Sequence, residues 1–464
     1  MAIDLSGRDA FVSAASVSLF ISANHPLIRL AGILPWSLLI DIVSEDLKKT
    51  TRKGSWQRGR KLIVRAHLAA YLLQKLYNLK DRQTEYGIRD NAAFQLFCGV
   101  NIIPGWHAPD HTSICAFRQR ISPETGRLLT NLLSRHAVTL GFADPSETDF
   151  DSTVQEANIS YPSDVNLMTK IAGIGQKVIE YLKKKSGHLI SSQTAIDMRA
   201  IKAKVREYFF TAKKKSIEGK RNIFREIHQL VKKQMRPIVD ICSKIRLEDL
   251  AKMPWNIRAA TCQINTQAWR YLLDVGYFIR YNMMKAGKLL SFHAKAVTCV
   301  KKGKIGKDKE FGRVFQLGRI KGNFLFVLES TSLRMNDKHS LAPLLAEHAS
   351  LFGENTLKSV SADKGYFSRK NLRAIDRCGV IENGLQLPRN CRTRSNLNEE
   401  NQRKLAQRRA GIEPLIGHAK HGGQLGKSRM KSDAATLAAG YGSILGLNLR
   451  QLIRCQTKES QKAA

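Results

Sequence analysis

The order of strand and helix patterns after residue 289 constrains the fold of this chain more than any other feature. Three consecutive β-prone segments come first, at residues 289–300, 311–320 and 323–329, with a Lys- and Gly-rich turn at 301–309. Then follow a helix at 341–351, a strand ending at Asp363, a helix at 369–378, a strand at 380–387 and helical residues 399–420. One more strand pattern lies far upstream, at 149–154. This alternation predicts an α/β fold built on a mixed sheet.

Two aspartates lie on or at the end of these strand patterns. Asp363 ends an apolar run, and Ser368 downstream is the expected N-cap of the next helix. Open α/β sheets place their active sites at the carboxyl ends of strands. Asp151 lies inside the upstream strand pattern, where Asp149 shares its strand face by the period of two. We therefore predict that carboxylates from both strands contribute to one site.

A third carboxylate lies in the segment from 409 to 420. On a continuous helix, Arg409, Glu413 and Lys420 would fall within roughly 60° of one another. Pro414 disfavours the α conformation at Glu413, which predicts a kink there or a new helix with Pro414 at its first position. By itself this segment favours a surface helix that carries an Arg409–Glu413 ion pair. With the two aspartates, however, Glu413 completes a set of three carboxylates that suits two divalent metal ions.

These segments resemble the DDE transposases of bacterial insertion sequences, in particular the insertion-sequence-five type. The matching pieces are Asp151-Ser-Thr-Val-Gln-Glu-Ala-Asn-Ile, Ser361-Ala-Asp-Lys-Gly-Tyr, and Arg409, Glu413 and Lys420 at the family's three-then-six intervening spacing. Upstream, His25-Pro-Leu-Ile-Arg-Leu-Ala, Arg89-Asp-Asn-Ala-Ala-Phe and Pro109-Asp-His-Thr-Ser-Ile-Cys-Ala-Phe-Arg are similar to the family's N-terminal region. The resemblance covers about residues 25 to 420. One departure is Ala406, which stands where the family has a tyrosine three residues before the arginine.

The resemblance implies a domain organisation. It implies a ribonuclease-H-like DDE catalytic domain at residues 141–455, preceded by a DNA-binding domain at 1–140, which the periodicity of its apolar residues indicates to be all-helical. A basic helical insertion at residues 165–288 would interrupt the catalytic domain after its first strand. The insertion carries 26 Lys and Arg against nine Asp and Glu, a balance of +17. We expect it to grip DNA.

The resemblance also implies a chemistry. Asp151, Asp363 and Glu413 would bind Mg²⁺, with Mn²⁺ as a substitute, because hard oxygen ligands suit these ions. Arg409 and Lys420 would hold DNA phosphates or restrain Glu413. The implied activity is cleavage of double-stranded DNA at the terminal inverted repeats of the element, followed by strand transfer into target DNA. The same resemblance implies a homo-oligomer on DNA and a cytoplasmic, nucleoid-associated location in a bacterium.

Charge and composition agree with a nucleic-acid partner. The 464 residues include 76 Lys and Arg against 39 Asp and Glu, a formal charge of +37. Such a charge repels itself unless a polyanion or an anionic surface neutralises it. No segment is predicted to span a membrane or to act as a targeting signal, since the apolar stretches at 10–21 and 27–43 indicate packed helices. The eight cysteines lack the short paired spacing of zinc sites, and we expect reduced, buried thiols.

Two shorter motifs and two rival functions remain open. His107 and His111 are spaced for one helix face, but Pro109 favours a turn in which Asp110 caps the following helix. The glycines of residues 171–177 are compatible with a phosphate-binding helix-hairpin-helix turn, although a plain helix-breaking turn is preferred. The rival functions are a DNA nuclease or resolvase on the same fold, which would cleave without joining, and a catalytically inert DNA-binding protein.

Overall fold

The computed structural model describes residues 21–50, 63–99, 108–186, 194–210, 216–285, 287–304, 307–328, 336–388 and 397–463. The chain divides into two compact units, one formed by residues 158–299 and the other by the chain on either side of them. The larger unit holds a mixed sheet together with helices, and the smaller unit is helical, which confirms the predicted α/β fold class with a helical insertion. The predicted boundaries at 140, 165 and 288 stay predictions.

The N-terminal part of the larger unit is helical throughout its described residues. Its helices are α1 (Pro26–Ile33), α2 (Trp36–Thr50), α3 (Val64–Tyr77), α4 (Asp81–Asp90), α5 (Ala92–Phe97), α6 (His111–Arg120) and α7 (Pro123–Thr139). Asp110 Oδ1 accepts hydrogen bonds from the backbone N–H groups of Thr112 and Ser113 over 2.8 and 2.9 Å, which confirms the predicted cap. The His111 ring binds Glu85 over 2.8 Å, and His107 lies outside the described residues.

The apolar segment at 27–43 forms the two helices α1 and α2 with a break at Leu34 and Pro35. Leu27 and Leu30 of α1 are buried in the core of the larger unit. Across the described residues no single helix is long and apolar enough to cross a membrane, although Pro26–Ile33 and Trp36–Lys49 pass by length and composition as a pair bent by 75°. Most of the other apolar segment, at 10–21, lies outside the described residues.

The smaller unit is a helical bundle with a core of its own. Its helices are α8 (Asp164–Ser186), α9 (Met198–Phe210), α10 (Ile217–Ser243), α11 (Leu247–Lys252), α12 (Trp255–Gln263) and α13 (Trp269–Tyr281), with a π-helical turn at Ile264–Ala268. Apolar residues of α10 recur every four positions and are buried, at Ile223, Ile227, Val231 and Met235. The predicted amphipathic helix is therefore present at this place.

The predicted turn at residues 171–177 is wrong, and so is the helix-hairpin-helix alternative. The helix α8 continues through both Gly173 and Gly175. A Cβ at position 175 would overlap the side chains of Met235 and Ile196. Gly175 therefore lets α8 approach α10 closely. The glycine that suggested a turn in the sequence is needed for helix packing.

The sheet of the larger unit has six strands in the described residues. They are β1 (Asp144–Glu156), β2 (Thr298–Lys304), β3 (Lys307–Lys321), β4 (Phe324–Val327), β5 (Ser359–Ala362) and β6 (Glu382–Leu385). Their order is β2-β3-β1-β5-β6, with β4 also paired to β3. The β1–β3 pair is antiparallel, whereas β5 is parallel to both β1 and β6. This mixed arrangement is ribonuclease-H-like, as the resemblance implied.

Two details of the predicted sheet are wrong. The predicted strand at 289–300 begins only at Thr298, and the predicted turn at 301–309 is largely occupied by β2 and β3. The apolar residues before Thr298 fill the core of the helical unit without forming a strand. Phe292 is the clearest case, since it is buried and its ring lies 6.2 Å from that of Tyr271. Burial, not strand pairing, accounts for the apolar pattern there.

The remaining helices are α14 (Asp337–Phe352), α15 (Arg369–Arg377), α16 (Glu399–Ala410), α17 (Ile412–His421) and α18 (Asp433–Ala463). Ser368 caps α15 by accepting a hydrogen bond from the Asn371 N–H over 3.0 Å, as predicted. The segment 399–420 is not one helix, because it breaks at Gly411. Pro414 then stands third in α17, where its missing N–H has no helical partner to lose.

Two asparagines from helices bind the edge of β4 that pairs with no other described strand. Asn131 of α7 exchanges hydrogen bonds with the backbone of Val327, over 2.9 and 3.0 Å. Asn448 of α18 does the same with Leu325, over 2.8 and 3.0 Å. Backbone groups at a sheet edge are costly when buried without partners. These side chains therefore attach the N-terminal and C-terminal helices to the sheet.

The cysteines depart from the prediction in part. Cys98 and Cys242 are buried, but Cys262 and Cys299 are exposed. All seven cysteines in the described ranges are free thiols, and Cys391 lies outside those ranges. Cys262 lies on α12 of the helical unit, and Cys299 lies at the start of β2.

Candidate active site

Asp151 and Asp363 lie side by side where the parallel pairing of β1 with β5 ends, Asp151 within β1 and Asp363 just after β5. The register of β1 and β5 pairs Phe150 with Ala362, so that each aspartate is the next residue on its strand. Asp363 follows the last residue of β5 and accepts a hydrogen bond from the Lys364 N–H over 2.6 Å. Asp151 accepts one from the Ser152 N–H over 2.7 Å. The predicted position at the carboxyl edge of the sheet is therefore the observed one.

Arg409 connects Asp151 to Glu413. Its Nη1 lies 3.4 Å from Asp151 Oδ2, and its Nη2 lies 3.7 Å from Glu413 Oε1. The side chains of Arg409 and Asp151 are mostly buried, whereas that of Glu413 is 66% exposed. The Arg409 Nε is buried and has no hydrogen-bond partner among the described residues. One guanidinium thus carries the positive charge between two of the predicted metal ligands.

Lys420 is farther along α17. It comes seven positions after Glu413, which corresponds to roughly 10 Å along a helix axis on nearly the same face. Its Cβ lies 3.4 Å from the position that a Cβ on Gly426 would take, so it packs beside the loop that follows α17. The structure therefore brings Asp151, Arg409 and Glu413 into contact, with Asp363 on the neighbouring strand and Lys420 at the far end of the helix.

Asp149 has a different environment from Asp151, although both face the same side of β1. Its Oδ2 accepts hydrogen bonds from Arg319, at 3.0 Å from Nε, and its Oδ1 accepts one from Arg408 Nε at 2.9 Å. The Asp149 side chain is 3% exposed. Arg319 also donates to the Arg408 carbonyl oxygen at the end of α16. Asp149 is thus fully committed to a buried ion-pair network that attaches α16 to the sheet.

The carboxyl group of Asp151 is in an unusual electrostatic environment. Burial is the main cause that raises its pKa above the ordinary value, opposed by the Ser152 N–H and by Arg409. The negative charges of Glu413 and Asp337 raise the pKa further. A carboxylate that is destabilised by burial and by like charges is stabilised again when a cation binds beside it.

The donor set fits a divalent metal ion. Carboxylate oxygens are the ligands that Mg²⁺ and Mn²⁺ prefer, and these three come from two strand ends and one helix. Within the described ranges, no three Asp, Glu, His or Cys side chains are arranged to hold a metal ion together as they stand. Arg409 occupies the space between Asp151 and Glu413 with its own charge. The three carboxylates suit a divalent ion as ligands. In this structure the positive charge of Arg409 partly neutralises Asp151 and Glu413.

Sequence reasoning missed several residues around this site. Asp337 begins α14, and its Oδ1 accepts a hydrogen bond from Gln316 Nε2 over 2.9 Å. Arg319 and Arg408 bind Asp149 in the network beside it. None of these positions belongs to a recognisable spacing pattern, because they come from β3, α14 and α16, which meet only in the folded chain. Tyr366 is the exception, since it ends the segment Ser361-Ala-Asp-Lys-Gly-Tyr that carried the resemblance.

The basic helical unit has an open cavity of about 650 Å³. Three aromatic rings line it, those of Tyr208, Phe224 and Phe278, with neighbouring centroids 6.4 and 6.5 Å apart. Lys220 and Arg280 are among the cations at the same cavity. Aromatic faces beside cations are a combination that suits nucleic acid.

Two parts of the chain match models of transposase families. Residues 322–449 match the family model described as Transposase DDE domain, and residues 16–120 match the Transposase domain (DUF772). The uncharacterized protein ORF8 in the nfe locus of Rhizobium meliloti is 26% identical over 183 residues, which are 39% of this chain and 84% of that protein. No solved structure gives a significant match.

The fold is ribonuclease-H-like, and the matched segments are those of a transposase. The matched segment 322–449 contains Asp363, Arg409, Glu413 and Lys420, whereas Asp151 lies outside both matched segments. The chain belongs to the DDE transposases.

Proposed function

We propose that this transposase binds the ends of an insertion sequence and catalyses divalent-metal-dependent DNA cleavage and strand transfer. The observation that carries the proposal is the cluster at the strand ends, in which Arg409 joins Asp151 to Glu413 beside Asp363. Asp151, Asp363 and Glu413 would hold Mg²⁺, or Mn²⁺ in its place. When bound, such ions increase the nucleophilicity of an attacking oxygen and stabilise the leaving oxygen of a phosphodiester.

The residues of the chain have separate tasks in this proposal. The two aspartates hold fixed positions on rigid strands, which keeps their ligand oxygens in register. Arg409 restrains Glu413 and Asp151 and neutralises them before the cation arrives. Lys420 holds a DNA phosphate beyond the carboxylates, since an ammonium group is a compact phosphate ligand. Asp149 supports this arrangement through Arg408 and Arg319 without touching the reacting atoms.

Double-stranded DNA is the partner that the charge favours. The net charge of +37 and the balance of +17 in the helical insertion supply the electrostatic attraction, which is the main term in binding the phosphate backbone. The element ends and the target are both DNA, and we propose that a homo-oligomer holds two ends together. The aromatic cavity of the helical unit would add a surface on which bases can stack where the DNA is unpaired.

A strand-transfer assay with pre-cut ends tests the proposal against its rivals. The protein, Mg²⁺ and a labelled duplex that ends in a 3′-hydroxyl at the element terminus are mixed with a target plasmid. The proposal predicts covalent joining of the label to the plasmid. Cleavage of uncut ends without joining would instead indicate a nuclease or resolvase, and DNA binding without either reaction would indicate an inert binding protein.

A further inference from the structure

A buried hydrogen-bond chain lies beside the carboxylates of the candidate site. The Tyr366 hydroxyl donates to Gln316 Oε1 over 2.5 Å, and Gln316 Nε2 donates to Asp337 Oδ1 over 2.9 Å. Tyr366 and Gln316 are both completely buried. Buried polar groups need partners, and here each group satisfies the next. The chain therefore fixes the Asp337 carboxylate through one of its two oxygens.

The three residues come from three elements that surround the site. Gln316 lies on β3 and pairs in register with Ser152, the neighbour of Asp151. Tyr366 ends the 3₁₀ turn Lys364–Tyr366, which Asp363 caps. Asp337 is the first residue of α14. The hydrogen-bond chain thus connects β3, at the partner of Ser152, and the turn after Asp363 to the start of α14.

The orientation of the Gln316 amide follows from its two partners. If the amide were reversed, its oxygen would face the Asp337 carboxylate, and two acceptors would repel each other. The observed orientation places an N–H donor on that carboxylate. The Tyr366 hydroxyl then keeps the amide from rotating. Asp337 is therefore held in place.

The second oxygen of Asp337 lies against the turn after Asp363. A Cβ on Gly365 would be 3.1 Å from Asp337 Oδ2, so a glycine leaves room for the carboxylate at this position. Asp337 is also near enough to Asp151 for its charge to add to the effect of burial in raising the pKa of Asp151. The carboxylate thus lies against the turn that follows Asp363 and is bonded to Gln316, the strand partner of Ser152.

We propose that Asp337 is a fourth carboxylate of the metal site and that Gln316 and Tyr366 are positioning residues that hold it there. This inference rests on the function proposed above. An additional negative charge close to the aspartates increases their attraction for a divalent cation. Asp337 need not bind the ion directly, because groups that surround the ligands also control metal affinity.

The test is Mn²⁺ binding by the full-length protein in the absence of DNA, measured as loss of the free-ion signal in electron paramagnetic resonance. We expect Asp337→Asn to weaken Mn²⁺ binding about 10-fold, the lower end of the effect of residues around a metal site. Asp376→Asn is the matched control, because it removes the same charge from an exposed position on α15. The control should bind Mn²⁺ as the wild type does.

A second variant separates positioning from charge. Tyr366→Phe keeps the charge of Asp337 and removes the hydroxyl that holds Gln316, so a smaller loss of Mn²⁺ affinity is expected. The double variant Asp337→Asn/Tyr366→Phe should lose no more than Asp337→Asn alone, because both changes act through one carboxylate. If Asp337→Asn does not fold by circular dichroism, Tyr366→Phe against the Asp376→Asn control decides the question.

Asp151→Asn, measured in parallel, distinguishes this inference from the proposed function. Loss of Mn²⁺ binding in Asp151→Asn together with the expected loss in Asp337→Asn supports both. If Asp151→Asn loses Mn²⁺ and Asp337→Asn matches the Asp376→Asn control, the fourth carboxylate is overturned and the three-carboxylate site stands. If neither variant loses Mn²⁺, both the inference and the metal site of the proposed function are overturned.

Discussion

Two aspartates on the same face of β1 have opposite environments, and this difference separates a structural role from a chemical one. Asp149 is buried between Arg319 and Arg408. Asp151 contacts one arginine, Arg409, and its side chain is partly exposed. The sequence predicted both positions but could distinguish them only through the resemblance at Asp151-Ser-Thr-Val. The arginines that hold Asp149 come from β3 and α16, which no local pattern connects to β1.

This difference predicts opposite effects of two matched substitutions. Asp149→Asn removes the carboxylate that pairs with Arg319 and leaves Arg408 with its ion pair to Glu147 at 3.4 Å, so we expect a loss of about 3–5 kcal/mol in the free energy of unfolding. Asp151→Asn should unfold at nearly the wild-type denaturant concentration, because burial already destabilises the charge it removes. It should lower single-turnover DNA cleavage by more than about 100-fold. The measurements are urea unfolding and cleavage of a labelled end.

The roles on β1 would be reversed by the opposite pattern of results. In that pattern Asp151→Asn would still cleave DNA, while Asp149→Asn would fold normally and fail to cleave.

Arg409 and Lys420 are expected to differ in kind. Loss of Arg409 frees Glu413 and Asp151 to move, so Arg409→Ala should need more Mg²⁺ for half-maximal cleavage and should be partly rescued by high Mg²⁺ or Mn²⁺. Lys420→Ala should lower DNA affinity or end positioning at every Mg²⁺ concentration, because Lys420 is too far from Glu413 to fix its side chain. A metal titration of cleavage, run with saturating DNA for both variants, makes the comparison.

Two outcomes would contradict this division of roles. Equal rescue of the two variants would mean that both act on the carboxylates. A lower Mg²⁺ requirement for Arg409→Ala would mean that its charge competes with the metal ion and does not restrain the ligands.

At the scale of elements, the junction between α16 and α17 shows what the sequence could and could not predict. Pro414 predicted a kink or a new helix near Glu413, and the helix is interrupted between α16 and α17. It lies at Gly411, because the Arg319 side chain packs there and donates to the Arg408 carbonyl oxygen. The position of the break thus depends on a residue of β3 that is remote in sequence.

The junction can be tested with two glycines on either side of Glu413. A Cβ at position 411 would overlap the Arg319 guanidinium, so Gly411→Ala should lower the free energy of unfolding by about 1–3 kcal/mol. It should also slow cleavage, since Arg409 and Glu413 flank the junction. Gly417→Ala is the control, because no atom lies within 4 Å of the added Cβ, and alanine should stabilise α17 by about 0.5–1 kcal/mol.

Urea unfolding of both variants checks this prediction. A Gly411→Ala protein as stable as the Gly417→Ala protein would show that Arg319 does not depend on close approach to the junction.

At the scale of the whole molecule, the sequence predicted the order of the ribonuclease-H-like elements and the presence of a helical insertion. It did not predict α18, whose Asn448 and buried leucines pack against the N-terminal helices and β4. The apolar spacing of residues 437–452 was a usable signal for that helix. Its placement was not predictable, since packing between the two ends of a chain leaves no trace in local periodicity.

The basic helical unit should contribute a measurable share of DNA binding. Replacing residues 165–288 by a short linker should weaken binding and flatten its dependence on salt, because the log–log slope falls by about 0.9 for each phosphate that the protein no longer neutralises. The measurement is fluorescence anisotropy of a labelled element end across a range of salt concentrations. A shortened protein with the wild-type slope would show that the cations of this unit face solvent and not DNA.

The central claim is that Asp151 binds a divalent metal ion used in DNA cleavage, and a change of ligand type tests it most directly. In Asp151→Cys a thiolate replaces the carboxylate. A thiolate is a poor ligand for Mg²⁺ and a better one for Mn²⁺. We predict cleavage that is at least about 10-fold faster in Mn²⁺ than in Mg²⁺ for this variant, relative to the wild type. Asp149→Cys is the control and should show no such rescue. The claim would be contradicted if Asp151→Cys cleaved DNA in Mg²⁺ at the wild-type rate. It would also be contradicted if Mn²⁺ rescued cleavage by Asp149→Cys and not by Asp151→Cys.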